Sequence, residues 1–282
     1  MNLLLEPLSY EFMRHALMAG IGVGVLCPIV GSYLVVQRIS LLGDVVAHAV
    51  LPGLAIAHFL KIPLIVGAAL FGLLSSFMTT WISSQSKLKM ETAMAIVFAS
   101  FFSLGITLLT VLRNRLDLNE LLFGDILSIA SGDIRQIILI AIAVLAAIRF
   151  FYKELLFFTF DPLGAEAMGL PVQWLNLGLM ASVTLTIVAG IKTVGVILVI
   201  ALMVGPAATA YLLAKELHWM MILGSIFGSV SAVTGLYLSY YFDIPSGPTI
   251  AMTIFVFFFL TLLFSPSQGI LSRSLRVKAK SY

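Results

Sequence analysis

Nine apolar runs divide this chain, at roughly 13–36, 41–60, 62–83, 92–112, 134–152, 173–191, 194–214, 219–242 and 248–265. As helices, runs of this length cross about 30 Å of hydrocarbon. Lipid tails offer no partner to a bare N–H or C=O, so a crossing segment must satisfy its own backbone, and an α-helix does so. The expected fold is an all-α, polytopic membrane helical bundle, one domain over 1–282. Eight to ten spans fit the pattern, because the link at 191–194 is very short. Composition agrees: 10% of residues are charged, against about 25% in a soluble domain. The lipid bilayer is an expected partner and nucleic acid is not. The single Cys27 excludes an intramolecular disulfide. Met1–Met13 has no basic stretch leading into a leader peptide, so none is expected to be cleaved.

Lys and Arg set the direction of insertion. With a cytoplasmic C-terminus, Arg38, Lys87, Lys89, Arg149, Lys153, Lys215, Arg273, Arg276, Lys278 and Lys280 lie inside. Arg14, Lys61, Arg113, Arg115, Arg135 and Lys192 lie outside, a split of ten to six. The N-terminus is therefore expected outside, the Leu116–Asp133 segment outside as a short surface helix, and the 153–172 loop in the cytoplasm.

Within the second run, Asp44 and His48 are separated by four residues. At that spacing they share one helix face, about 6 Å apart along the axis. An Asp at mid-span costs about 2.5–3.5 kcal/mol on insertion scales, so such pairs usually face a polar path. A carboxylate and an imidazole are also a plausible ligand set for a divalent transition metal. The plainer alternative is that Asp44 caps the helix and His48 makes a packing hydrogen bond. Pro52 and Gly53 break the same helix just beyond His48, a pattern found where backbone lines a cavity.

The inner loop carries the second informative motif. Asp161-Pro162 is a helix start, with Asp as N-cap and Pro in the first turn. Gly169 and Pro171 are stop signals. They bracket a helix of about two turns, whose small residues Gly164, Ala165 and Ala167 admit a close partner; Glu166 lies among them. It reads as a docking helix for a cytoplasmic motor or as an ordinary interfacial helix. Pro206, in Val204-Gly205-Pro206-Ala207-Ala208, should kink the seventh span.

Other features have duller readings. Asp243-Ile244-Pro245-Ser246-Gly247-Pro248 is a tight outer turn. Asp117, Glu120, Asp125 and Asp133 form an outer acidic group whose default is a solvated loop. Gly20-xxx-Gly24 and Gly224-xxx-Gly228 suit close helix packing, within a chain or between chains. His15, His58 and His218 sit near span ends, and Glu91 flanks the fourth span. No Gly-x-Ser-x-Gly, His-Glu-x-x-His or phosphate-loop string occurs, so ATP chemistry on this chain is not expected and the chain is not expected to be an enzyme by itself.

Taken together, five ordered stretches resemble the permease subunit of bacterial metal-ion ABC importers, the manganese, zinc and iron class. They are Gly43-Asp44…His48-Ala49-Val50-Leu51-Pro52-Gly53, Phe123-Gly124-Asp125-Ile126-Leu127, Asp161-Pro162…Ala167-Met168-Gly169-Leu170-Pro171, Val194-Gly195…Pro206-Ala207-Ala208-Thr209-Ala210, and Asp243-Ile244-Pro245-Ser246-Gly247-Pro248. The resemblance implies the type II ABC importer fold, related to the vitamin B12 and ferric siderophore permeases. It implies a homodimer of this chain, two cytoplasmic ABC ATPase subunits that hold the ATP, and an extracytoplasmic metal-binding protein or lipoprotein. It places Asp44 and His48 at positions of metal passage. It makes Asp161, Pro162, Gly164, Glu166, Ala167 and Gly169 the ATPase-coupling helix, and Pro52, Gly53 and Pro206 pathway or gating residues. No tightly bound cofactor is implied, only a transported divalent metal. Leu51-Pro52-Gly53 after the histidine resembles manganese-type members, so Mn²⁺ is favoured, with Zn²⁺ or Fe²⁺ next. The implied location is the bacterial plasma (inner) membrane. The rival expectation from the residues alone is a secondary cation transporter, with Asp44 and His48 as a proton relay.

Overall fold

The computed structural model describes residues 5–112, 124, 126–265 and 269. Among these, nine segments are long and apolar enough to cross a membrane, each bounded within three residues of the runs read from sequence. The helices are α1 (Glu11–Val36), α2 (Leu41–Ala49), α3 (Leu51–Phe59), α4 (Leu64–Gln85), α5 (Met90–Val111), α6 (Ser131–Phe150), α7 (Tyr152–Phe160), α8 (Pro162–Ala167), α9 (Val172–Leu213), α10 (Leu217–Phe242) and α11 (Ser246–Phe264). Together α2 and α3 make the second span, and α9 contains the sixth and seventh.

The centre of the bundle is built on α1, which packs along both α10 and α9. Its contact with α10 needs residues without side chains. Gly24 and Gly228 meet backbone to backbone, and a Cβ on Gly24 would come within 3.0 Å of the Gly228 carbonyl. Gly20 lies against Ala232, and Gly224 against Pro28. Both small-residue motifs are thus spent inside one chain. By contrast α5, α6 and α11 keep most of their apolar surface outward, with Ile142, Phe255 and Val256 among the exposed side chains. Such faces are stable against lipid tails.

The sixth and seventh spans, Val172–Ile191 and Thr193–Leu213, are joined by a single residue. The reversal is made at Gly195, whose φ of 79° and ψ of 160° lie in a region essentially closed to other residues. Gly190 then lies against Val199, nine positions on. The backbone dihedrals stay helical through Pro206, and the residue with non-helical dihedrals inside α9 is Gly195.

On the cytoplasmic side of the expected topology, α7 and α8 follow α6. The sequence pattern announced only α8. The α7 helix forms because Leu155 and Phe158 bury against the core. It is tied to the end of α1 by Gln37, whose Nε2 donates to Thr159 Oγ1 at 3.2 Å. Half of the Leu116–Asp133 segment, with Asp117, Glu120 and Asp125, lies outside the described residues. In the part that is described, Ala130, Ser131 and Gly132 are exposed. Ile126 and Ile129 are buried, and Ile126 lies beside Gly20 of α1. Asp133 is in the first turn of α6.

Candidate functional site

Asp44 and His48 share a face of α2, with Oδ1 and Nε2 3.4 Å apart. Ser40 is the N-cap of α2, and Asp44 stands in its first turn, where a carboxylate is favoured by the helix dipole. The capping alternative for Asp44 is therefore not what forms. His48 likewise makes no hydrogen bond to packing partners among the described residues. Its ring meets Phe98 and Phe102 of α5, at centroid distances of 5.4 and 5.6 Å. These two phenylalanines had no signal in the sequence beyond a helical spacing of four among many apolar neighbours.

The depth of the pair follows from what surrounds it. Asp44 lines a side cavity of about 510 Å³ with Ala201, Val204, Ala208, Ile254 and Phe255. Phe255 is the midpoint of the ninth span, and Met203, the midpoint of the seventh, lies beside Gly43. Phe98 and Phe102 bracket the middle of the fourth. Asp44 is thus three residues past the start of its own helix, while the pair lies near residues at or about the midpoints of three other spans. Among the described residues Asp44 is the one ionisable side chain lining the cavity.

Side-chain exposures of 45% for Asp44 and 20% for His48 leave both reachable. Two donors about 2.0–2.2 Å from a metal, at 90–110° to one another, lie about 3–3.5 Å apart. The observed 3.4 Å therefore lets one cation meet both with little rearrangement. Among the described residues no group of three or more His, Cys, Asp or Glu side chains is placed to hold a metal. The pair supplies part of a coordination shell and leaves positions for other ligands.

The remaining predicted residues are distributed as follows. Pro52 is buried in the first turn of α3. Gly53 meets Gly67 of α4 backbone to backbone, leaving no room for a Cβ on either. Pro206 lies near Gly224 of α10, and its neighbours Gly205 and Ala208 line the cavity beside Asp44. The coupling set is elsewhere, on α8. Asp161 caps that helix, accepting from the Gly164 N–H at 2.9 Å. A Cβ at Gly164 would collide with the Asp161 carboxylate. Gly169 ends the helix with φ of 79°, and the Leu170 N–H returns to the Ala165 carbonyl at 3.0 Å. Ala165 is buried, while Glu166, Ala167, Leu163 and Met168 are exposed. His15 and His218 pair with Glu11 and Glu216, away from Asp44. Glu91 is exposed at the start of α5. Asp243 closes α10 in the left-handed conformation, as the tight outer turn requires.

Residues 9–265 match the ABC 3 transport family. The chain belongs to that family. The "Manganese transport system membrane protein MntC" of Listeria monocytogenes is 43% identical over 270 residues, covering 95% of this chain and 96% of that one. The "Manganese import system permease protein ScaB" of Streptococcus gordonii is 40% identical over 268 residues, covering 95% and 96%. The solved structure of PsaBC from Streptococcus pneumoniae in complex with Fab is similar with a TM-score of 0.87 at 37% identity, covering 98% of both chains. As an ABC 3 transport family member with nine apolar helices among the described residues, the chain is a multi-pass membrane permease subunit.

Proposed function

We propose that this chain is the membrane permease of an ATP-driven importer whose substrate is a divalent transition metal ion, and that the ion passes Asp44 and His48. The observation that carries the reading is the position of this pair. An acid and an imidazole 3.4 Å apart stand near mid-span residues of neighbouring helices, beside an otherwise apolar cavity. Ionisable groups at that depth are costly unless they serve a path. Manganese is the favoured metal, in keeping with the names of the relatives above and with Leu51-Pro52-Gly53.

The rest of the reading concerns the assembly. The whole chain acts as one permease domain, and its 153–172 loop couples it to a cytoplasmic ATPase. ATP binds that partner and not this chain. The α8 helix, capped by Asp161 and presenting Leu163 and Met168, is the docking element. An extracytoplasmic metal-binding protein delivers the ion to the outer face. Two copies of this chain complete the path, so that two carboxylates and two imidazoles contribute. Holding must be weak enough for release. The N-terminus is outside and the C-terminus is in the cytoplasm.

The test is reconstitution with a candidate ATPase in vesicles and measurement of Mn²⁺, Zn²⁺ and Fe²⁺ uptake. Asp44→Ala and His48→Ala are expected to abolish uptake while the ATPase still co-purifies. Wild-type uptake in both variants would overturn the site. Uphill accumulation on an ion gradient without the ATPase would replace the importer with a secondary transporter.

A further inference from the structure

We infer that Phe98 and Phe102 are positioning residues for His48, and that α5 sets whether its imidazole is presented to a passing cation. This rests on the reading of Asp44 and His48 as the transit site. A metal-binding histidine ordinarily has its second ring nitrogen fixed by a carboxylate, a carbonyl or water. His48 has no such fixing partner among the described residues. The polar group beside it is Asp44, itself a proposed ligand. What sets the ring's orientation is aromatic contact. Phe98 and Phe102 lie parallel to one another, with 3° between planes and centroids 5.7 Å apart. The imidazole stands at 88° to the first and 87° to the second. Both contacts are in the range where perpendicular rings attract. Neither phenylalanine offers a donor atom, so they aim the imidazole without competing for the metal.

The placement of α5 gives this contact a wider role. The second span is interrupted at Val50, between α2 and α3, and α5 packs on both halves. Two turns apart on α5 are the grip on each. Phe98 and Phe102 hold His48 of α2, while Gly105 abuts the start of α3. A Cβ at Gly105 would come within 2.6 Å of Leu51 Cβ and 3.2 Å of Pro52 Cδ. Thus α5 bridges the interruption like a splint. Sliding or rolling of α5 against α2 turns the His48 ring without any displacement of Asp44, and the cation then loses one of its ligands. Phe98, Phe102 and His48 are all partly exposed, so the rings have room to turn.

The experiment measures Mn²⁺ uptake by the reconstituted permease–ATPase complex as a function of metal concentration. The variants are Phe98→Leu, Phe102→Leu, the double variant and Phe98→Tyr. Losing the aromatic orientation is expected to raise KM for Mn²⁺ by about tenfold or more, the usual scale for groups that orient a metal ligand. The maximal rate should change far less, and Phe98→Tyr, which keeps the ring, should keep the wild-type KM. An unchanged KM in the leucine variants overturns the proposal, as does a fall in maximal rate alone, which is the mark of a packing role. Should the double variant fail to assemble, the single variants decide by the same criteria. Asp44→Asn run in parallel separates the two levels. If it transports normally, the transit site itself is wrong; if it is dead while the leucine variants match wild type, only the positioning role falls.

Discussion

Pro52 stands four residues after His48 and has no N–H to give to the His48 carbonyl. The residue proposed to meet the metal through its ring is therefore also the point where the helix ladder loses a bond. The second span is consequently two short helices, α2 and α3, with His48 near the break between them and Asp44 in the first turn of α2.

Restoring the missing donor should stiffen this span. Pro52→Ala is expected to raise the thermal unfolding temperature of the detergent-solubilised complex and to lower its maximal uptake rate several-fold. Both are read on one preparation, by intrinsic fluorescence and by Mn²⁺ uptake.

The turn between the sixth and seventh spans tolerates glycine alone. Gly195→Ala must hold an L-residue at φ of 79° and ψ of 160°. A strain of about 1–3 kcal/mol is expected there. The melting temperature should fall accordingly, while Gly178→Ala, whose Cβ would meet nothing within 4 Å, should leave it unchanged.

Cap chemistry at α8 can be separated from charge. Asp161→Ala removes the acceptor for the Gly164 N–H, a loss of about 1 kcal/mol. Metal-stimulated ATP hydrolysis by the complex should weaken. Asp161→Asn keeps an acceptor and should retain most of it.

The exposed apolar pair on the same helix predicts a binding defect without a folding defect. Leu163→Asp and Met168→Asp replace side chains that are 79% and 75% exposed. Each variant should insert and melt as wild type does, yet fail to retain the ATPase on an affinity column.

Cys27 is fully buried and should resist maleimide in intact vesicles until the protein is unfolded. It therefore serves as a silent background for topology. Ser86→Cys, in the turn after α4, should label only from the cytoplasmic side if the N-terminus is outside.

Much of the fold was legible because membrane spans are set by length and hydropathy, which are local properties. The nine runs and the α8 caps depend on residues within a few positions of one another. The same locality explains what was hidden. Asp44 looks terminal when counted along α2, and its neighbourhood with Met203 and Phe255, at the midpoints of other spans, comes from residues far away in sequence. The short link at 191–194 was visible in the sequence, but the residue that makes the reversal, Gly195, lies just beyond it. The α7 helix owes its existence to burial of Leu155 and Phe158 against other spans. Phe98 and Phe102 gain meaning solely from the ring they touch.

The cavity beside Asp44 has aliphatic and aromatic walls almost throughout. Among the described residues of one copy, these walls offer a dehydrated ion no second ionisable foothold. If the ion passes here as proposed, passage is a single hop from one resting place, without a queue of ions pushing one another forward. Turnover in such a conduit is bounded by one escape step, which cannot be hastened by crowding more cargo at the entrance.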